Sequence, residues 1–535
     1  MPGLDIQNDI DENEFFQELG LQGIPFHQAL GEILDNAISA CISDDNYFDQ
    51  DNPDDSFYVR ISIIHKENGN VEIIVADNGK GMTEDVIEEH LFRPGHKDTD
   101  SGNGVLNEHG MGLKHSLSTL SNNGTDDSFK IITKTEDMDQ DEIAKIEGPL
   151  SDPSGDIDDY SDLWEKGAGS LVHEPSGTRV HLTVPFSQIN DSYARASHLY
   201  SVVPGLHEHF GVMYHRYLEH TSRNRLELSW EDEPENKSGE LEIAPIYPQF
   251  REDKDEDGRE WKESDKITIT DEAGEDYEIE YERGIIDWEG TLEKYQRGRY
   301  DYEPLESEEG GSPFRIYYRN NQATQGINIV YRGRVLETGL LPEIWDEMVR
   351  HNRFNRFTGE IRIQDEKFQT LFNKTNINMD SKLWRKVRSE LVDNQEYHPR
   401  AWGEDEQEQS LQKQIKENLK NDRNCVDVSR EKDAGCDLDI DILQEFEEDD
   451  GETPVIIYEV KRSTARPLDV YQCVMYWDSY RHHKDDRLDE IVLVSDGIST
   501  NAKEVLDLAT SRVDSEEDYY DIKQKEISDY PGVSL

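Results

Sequence analysis

Along residues 27–40, HQALGEILDNAISA, the apolar residues Leu30, Ile33, Leu34, Ala37 and Ile38 recur at helical spacing and predict an amphipathic helix. Glu32, Asp35 and Asn36 lie inside that same helix. Strand-like runs follow in FYVRISIIHK and NVEIIVADN, then a glycine-rich segment, a helix and the strand FKIITKT. An acidic, Gly/Ser/Pro-bearing interruption at 136–176 reads as a surface insertion, after which GTRVHLTV (177–184) resumes the pattern. Strands and helices are mixed rather than strictly alternating, which predicts an α+β sandwich and not a doubly wound sheet.

Residues 195–395 read as a second unit. It holds an acidic strand-and-loop region, GINIVYRGRVL, a helix PEIWDEMVRH, a strand RFTGEIRIQ and a helix SKLWRKVRSEL. EYHPRAWGEDEQEQSL resembles a linker or helix start, and a third unit carries strands DLDIDIL, PVIIYEVK and DEIVLVSD separated by helices. The tail from SEEDYY onward is expected to be loosely held. Domains are thus expected at 1–190, 191–397 and 398–535, in line with roughly 100–200 residues per domain for a 535-residue chain. There is no internal repeat.

Charge changes the picture next. The formal charge of −62 comes from 118 acidic against 56 basic residues, spread along the chain and interleaved with apolar periodicity. That pattern fits a folded protein with a solvated carboxylate coat better than a disordered one. It resembles the proteome bias of halophilic archaea, and such a chain is expected to repel itself and lose stability in low salt. Under that reading acidity does not exclude nucleic acid, and only local basic clusters remain informative. Cys41, Cys425, Cys436 and Cys473 contain no CxxC pair, so neither a zinc nor a disulfide framework is expected. No leader and no stretch of transmembrane length is apparent, which predicts a soluble cytoplasmic protein with no membrane partner.

No GxxxxGK[ST] occurs, so a Walker-type ATPase is not supported. Three other segments suggest phosphates and a metal: the opening helix, VADNGKGM (75–82), and GNGVLNEHGMGLKHSLSTL (102–120). Glycines let backbone approach phosphates closely, and a helix N-terminus complements their charge. Each has a plainer reading alone: a solvated helix face, a tight turn, a helix cap. Their occurrence in this order, followed by SGTRV, is what argues for a site.

Over residues 20–190 these segments resemble the GHKL ATPase superfamily, which includes gyrase B, MutL, histidine kinases, heat-shock chaperones and the MORC ATPases, with the MORC-like branch the best fit. The resemblance implies an ATP-binding α/β sandwich of the Bergerat type. It makes Glu32 the general base for the attacking water and Asn36 a ligand of Mg2+ bridging the phosphates. Asp77 would accept the adenine amino group, with Gly79 in the same turn, Gly81 leaving room for the purine and Met82 packing near it. Gly110, Gly112, Leu113 and Lys114 would form the phosphate loop and lid hinge, and Thr178 would reach the adenine through water. Asp35 is open between a structural role and one behind the site. The family's next domain is an S5-like transducer that sends a lysine to the γ-phosphate. FQTLFNKTNIN, with Gln369, Thr370 and Lys374, resembles its loop, making Lys374 the expected sensor, and YRGRVL resembles the strand before it.

In PVIIYEVKRS, Glu459 and Lys461 lie two apart and project from one face of a strand. Upstream, AGCDLDIDIL places Asp437, Asp439 and Asp441 on one face of another. Such acids can hold a hard divalent cation beside a lysine that orients water, although an isolated ExK is usually a solvated face. The next helix adds Gln472 and Tyr476 at i, i+4. The combination resembles the PD-(D/E)XK nucleases that carry a QxxxY motif, a restriction-endonuclease-like α/β core. The resemblance makes Asp437, Glu459 and Lys461 catalytic, with Asp437 and Glu459 as metal ligands and Asp439 a rival to Asp437. Gln472 and Tyr476 would position the metal or DNA, and Glu408 would complete the shell. Arg462 and Arg466 add a local basic patch. The cysteine spacing gives no support for an iron–sulphur cluster.

These readings combine into an ATP-dependent DNA-processing enzyme that dimerises on ATP and cuts nucleic acid with Mg2+ or Mn2+, in genome defence or repair. An accessory protein is left unidentified. The alternative is a non-cleaving ATP-dependent clamp or chaperone-like remodeller whose C-terminal domain only binds DNA; a third reading makes the ATPase vestigial.

Overall fold

The computed structural model describes residues 12–42, 46–50, 53–92, 106, 111–121, 129–139, 142–192, 196–252, 260–297, 314–346, 348, 350, 354–365, 367–368, 370, 377–399, 406–422, 424–435, 438–447, 454–462, 464–484, 487–511 and 520–533. The chain divides into two units, Met1–Gly403 and Glu404–Leu535.

In the first unit, helix α1 (Glu12–Leu21) precedes α2 (Phe26–Cys41), which starts behind Pro25 and buries Phe26, Leu30, Ile33, Leu34 and Ile38. Proline suits the entry because the first helical turn lacks intrahelical N–H partners anyway. The helix also buries Glu32 and Asp35, which no amphipathic surface helix needs to do. Its apolar side packs on an eight-stranded sheet of order β5-β4-β3-β6-β2-β1-β7-β8. These strands are β1 (Tyr58–His65), β2 (Asn70–Asp77), β3 (Phe129–Lys134), β4 (Ile143–Glu147), β5 (Ser154–Asp158), β6 (Gly177–Pro185), β7 (Arg225–Asp232) and β8 (Lys237–Glu242). Among the described residues of this sheet, β1 and β7 pair in parallel and the other neighbours pair antiparallel. Helices α3 (Glu84–Glu89), α4 (Gly112–Leu120), α5 (Ser161–Glu165), α6 (Phe186–Ser192), α7 (Val203–Met213) and α8 (His215–His220) complete this part.

The interruption expected to be a surface insertion instead supplies β4, β5 and α5. Ile143 packs with Ile132 and Trp164 on one face of β4 while Ile146 enters the first core on the other, so apolar side chains spaced among the acids decide the outcome. The sheet also recruits β7 and β8 from beyond residue 190.

A second sheet has the order β10-β11-β14-β12-β13, with β9 (Gln249–Phe250) paired to β11. Its strands are β10 (Lys262–Thr270), β11 (Asp276–Asp287), β12 (Gly326–Tyr331), β13 (Arg334–Leu340) and β14 (Phe357–Ile363). Helices α9 (Trp288–Arg297) and α10 (Lys382–Asp393) belong to the same part, the latter capped by Ser381 Oγ accepting from Trp384 N. The helix expected over PEIWDEMVRH is a run of turns across 341–346. Ile344, Trp345 and Met348 are all drawn into the second core, and Trp345 Nε1 donates to Leu391 O at 3.0 Å. That anchoring outweighs propagation of a short helix.

In the second unit, β15 (Cys425–Asp433), β16 (Asp439–Phe446), β17 (Pro454–Val460), β18 (Arg487–Ser495) and β19 (Ile522–Glu526) pair in chain order. β17–β18 and β18–β19 are parallel. Helices α11 (Glu406–Leu419), α12 (Pro467–His483) and α13 (Thr500–Ser511) accompany the sheet. The tail expected to be loosely held carries β19, and Ile522, Ile527 and Tyr530 are buried.

Charge bears on this fold through solvent. With a net charge of −62, the unfolding midpoint is expected to rise between about 0.1 and 1 M KCl, as the screening length shortens from about 10 to 3 Å. A thermal melt insensitive to KCl would show that the acidic coat carries no repulsive cost.

Candidate functional site

α2 brings Glu32 and Asp35 into the interior, where they are 2% and 1% exposed. The start of α4 lies against Glu32 so closely that a Cβ at Gly112 would overlap the Glu32 Oε2 atom. Glycine at this position is therefore a condition of the approach and not merely a cap. One turn along α2, Asn36 Nδ2 donates to Glu32 O at 2.6 Å, which commits the amide nitrogen to the helix, so any cation held by this side chain would have to meet Oδ1. Lys114 is buried on α4, and burial brings its pKa down to about 8. Leu113 packs against the first core at partial burial. Gly110 lies outside the described residues.

Asp77 ends β2. Its Oδ1 accepts from Gly79 N at 2.9 Å and Thr178 N at 3.0 Å, so the DNGKG turn and β6 converge on one carboxylate oxygen. A Cβ at Gly79 would come within 2.6 Å of the Ala40 Cβ, which locks this turn onto α2. Gly81 has φ of 72° and a Cβ there would overlap Lys134 O. The glycine expected to make room for a purine is required here by the close approach of β3. Met82 N donates to Thr133 Oγ1 at 2.9 Å, and that hydroxyl lies 3.2 Å from Thr178 Oγ1. Arg179, wholly buried, donates to Asp77 O and to Leu171 O at 2.8 Å, and its guanidinium lies 3.9 Å from the Trp164 ring centroid.

Burial pushes the Asp77 carboxyl up from 3.8 to about 6, against the Arg179 charge and the amides of Gly79 and Thr178, which pull it down. Because the folded value exceeds the free one, its contribution to stability is complete below about pH 4 and is lost as pH rises through about 6. At pH 7 the ionised form is costly, by at most about 3 kcal/mol at ~1.4 kcal/mol per unit. Asp77→Asn is therefore expected to raise the melting temperature at pH 7–8, with little change near pH 4. Melting curves of the two proteins across pH 4–8 check this; equal melting temperatures at pH 7.5 would show that the ionised Asp77 carries no cost to the fold.

Residues not singled out from sequence complete the surroundings. Arg334 Nη1, from β13, donates to Glu32 Oε1 at 3.0 Å and also to Asp35 Oδ2. The Tyr214 hydroxyl lies 2.8 Å from both Asp35 Oδ1 and Gly31 O, with one proton to share between them. Asp35 is thus a buried partner behind Glu32. His115 is buried on α4, and neither ring nitrogen has a partner among the described residues. Burial lowers its pKa and the Glu32 charge opposes the shift. Thr370 is described, but Gln369 and Lys374 lie outside the described residues.

In the second unit, Lys461 Nζ sits 2.6 Å from Glu459 Oε1, and Glu459 is wholly buried. Gln472 Nε2 donates to the Tyr476 hydroxyl at 2.7 Å. Burial raises the Tyr476 pKa, with the Glu459 and Asp441 charges and a hydrogen bond to Glu459 adding to the rise. The helix pair Gln472–Tyr476 therefore meets the strand pair Glu459–Lys461. Asp441 Oδ2 accepts from Val460 N at 2.7 Å, beside Glu459. Asp437 lies outside the described residues, as do the side chains of Asp439 and Glu408. Arg462 and Arg466 are exposed. Among the described residues, no group of three or more His, Cys, Asp or Glu is placed to hold a metal ion. Also among them, no helix is long and apolar enough to cross a membrane.

No curated protein matches the chain. Among solved structures it is similar to the B-subunit of the DNA gyrase from Myxococcus xanthus, at 11% identity and a TM-score of 0.33, over 69% of this chain and 88% of that one. It is also similar to the N-terminal domain of a DNA repair protein, at 14% identity and a TM-score of 0.37, over 71% of this chain and 97% of that one. Residues 24–147, the stretch from α2 through β4, match the family model described as histidine kinase-, DNA gyrase B-, and HSP90-like ATPase. The chain therefore carries a GHKL-type ATPase domain, which implies that it binds and hydrolyses ATP.

Proposed function

We propose that this chain is an ATP-dependent DNA-processing enzyme, in which a MORC-like ATPase gates the pairing of two copies and metal-dependent cleavage by the C-terminal unit. The observation that carries the ATPase half is the approach of the Glu32 carboxylate to Gly112 at the start of α4. A general base must lie about one hydrogen bond from the water it activates, and a helix N-terminus is where phosphates are held. Asn36 Oδ1 would hold Mg2+, whose charge offsets that of the phosphates. The second oxygen of Asp77 would accept the adenine amino group, and the Thr178 and Thr133 hydroxyls would meet the base through water. Lys374 is proposed as the γ-phosphate sensor.

For the C-terminal half, support comes from the meeting of Glu459, Lys461, Gln472 and Tyr476. Asp441 joins Asp437 and Asp439 as a candidate second acid because it bonds to the strand residue after Glu459. Mg2+ or Mn2+ there would polarise a phosphate and activate water, and Arg462 and Arg466 would contact the backbone of the nucleic acid. The acidic coat suits a cytoplasm of high salt. One observation favours the clamp reading: Glu459 is fully buried and already paired with Lys461, as a structural ion pair would be.

The test is cleavage of plasmid and linear DNA in high salt with Mg2+ and with ATP, a non-hydrolysable analogue, or no nucleotide. Cleavage that requires ATP is expected. Nucleotide-independent cutting would remove the gating, and DNA binding without cutting on any substrate would favour the clamp.

A further inference from the structure

The hairpin joining β12 to β13 turns through Arg332 and Gly333, with φ of 48° and 83°. Two successive positive φ values make the tight turn that suits a two-residue hairpin. Gly333 is also required there because a Cβ would overlap the Phe48 ring. The Arg332 carbonyl is fixed by the Tyr217 hydroxyl at 2.7 Å. This geometry sets Arg334 as the first residue of β13, its side chain 4% exposed and directed at α2. A guanidinium 302 residues along the chain thereby reaches the carboxylate proposed as the base.

We infer that Arg334 is a positioning residue of the ATPase: it fixes the Glu32 carboxylate against the α4 N-terminus and makes turnover depend on the strand that carries it. The inference rests on the assignment of Glu32 as the base. The terminal torsion of a glutamate is broad, so a carboxylate without a directing partner spreads over many orientations. Arg334 Nη1 holds Oε1 at 3.0 Å, while Oε2 is the oxygen lying against Gly112. A lone arginine on a base would also hold its lone pairs and quench it. Here the same Nη1 is shared with Asp35, so one cation faces two carboxylates and the cluster keeps a net negative charge. Tyr214 holds the far side of Asp35 at 2.8 Å. Orientation is thus supplied without neutralising the group that is oriented. Because Arg334 sits on β13, a displacement of that strand relative to α2 withdraws the guanidinium and releases the base, so the second sheet has a direct hold on the chemistry.

The test uses the full chain in high salt. Removing Arg334 alone leaves two buried carboxylates facing each other, so the informative variant is the double Asp35→Asn/Arg334→Gln, which keeps the cluster's net charge. Its kcat is expected to fall roughly 10- to 100-fold, as misplacement of a catalytic group does. Its KM for ATP, and its affinity for a non-hydrolysable ATP analogue, are expected within about twofold of wild type, the pattern of an interaction made at the reacting centre. Arg334→Lys, which keeps the charge but not the fork, is expected to give an intermediate kcat. A wild-type or raised kcat in the double variant would overturn the inference, as would loss of analogue binding in step with kcat. Turnover retained in Glu32→Gln would instead overturn the base assignment, whatever the Arg334 variants do.

Discussion

Glu32→Gln is expected to lower ATP turnover by roughly 10²–10⁴-fold, the range that general-base catalysis contributes, while a non-hydrolysable analogue still binds. Glutamine keeps the shape of the side chain and an oxygen for Arg334 Nη1, which donates to Oε1 at 3.0 Å in the wild type. What it loses is the charge and the proton-accepting oxygen beside Gly112. Gly112→Ala attacks the same contact from the other side, since the added Cβ would overlap Oε2. Either the carboxylate or the first turn of α4 must then move, and both are needed where the phosphates are expected. A fall in turnover of at least about tenfold follows from displacement of the order of 1 Å. The pair of variants separates base from scaffold: glutamine spares binding, whereas alanine is expected to weaken it as well. Steady-state turnover with analogue binding decides. Should Glu32→Gln turn over normally, the buried imidazole of His115 is the next candidate, since its lowered pKa leaves it neutral near pH 7.

α2, the strands β1, β2, β3 and β6 of the first sheet, β14, α10 and the three central strands of the second unit were legible because their apolar residues repeat at the period of the element that buries them. The same local signal failed where a tertiary contact outweighed it. Trp345 and its neighbours enter the second core through turns, and the acidic stretch at 143–165 hides a few well-placed apolar residues among charges. Long-range partners left no periodic trace at all. Arg334 reads as one more polar residue in YRGRVL, and only the turn at Arg332–Gly333 and the pairing of β13 bring it to Glu32. Thr133 and Arg179 are ordinary alternating strand residues until β2, β3 and β6 are laid side by side. A signal for Asp35 did exist: a second acid on the buried face of an otherwise apolar helix must find a buried partner, because an uncompensated buried charge is not tolerated. The sequence does not say which partner, since that depends on chain topology. β19 escaped notice for a related reason, as IKQKE is polar and becomes a strand by pairing with β18 at the sheet edge.

The second large effect is expected in the C-terminal unit, where stability and cleavage should respond oppositely to paired substitutions. Lys461→Met leaves Glu459 wholly buried without the cation now 2.6 Å away. Breaking a buried pair in this way costs about 3–5 kcal/mol, because the remaining charge has lost its compensation. The double variant Glu459→Gln/Lys461→Met removes both charges and is expected to recover most of the lost stability, since paired apolar or neutral groups of similar volume are often tolerated. If the cluster cleaves nucleic acid, the double variant stays inactive by at least about 10²-fold although it is stable again, because metal-assisted hydrolysis needs the carboxylate itself. If the cluster is only a structural ion pair, DNA binding should recover together with stability and no cleavage should exist to be lost. Asp441→Asn refines the result. Asn keeps an oxygen to accept from Val460 N, so folding is expected to hold, and a loss of cleavage would identify Asp441 as a ligand. Cleavage retained there but lost in Asp437→Asn would assign that role to Asp437. Chemical denaturation and plasmid cleavage of the same four variants separate the two readings, because only a catalytic carboxylate stays essential after the fold has been repaired.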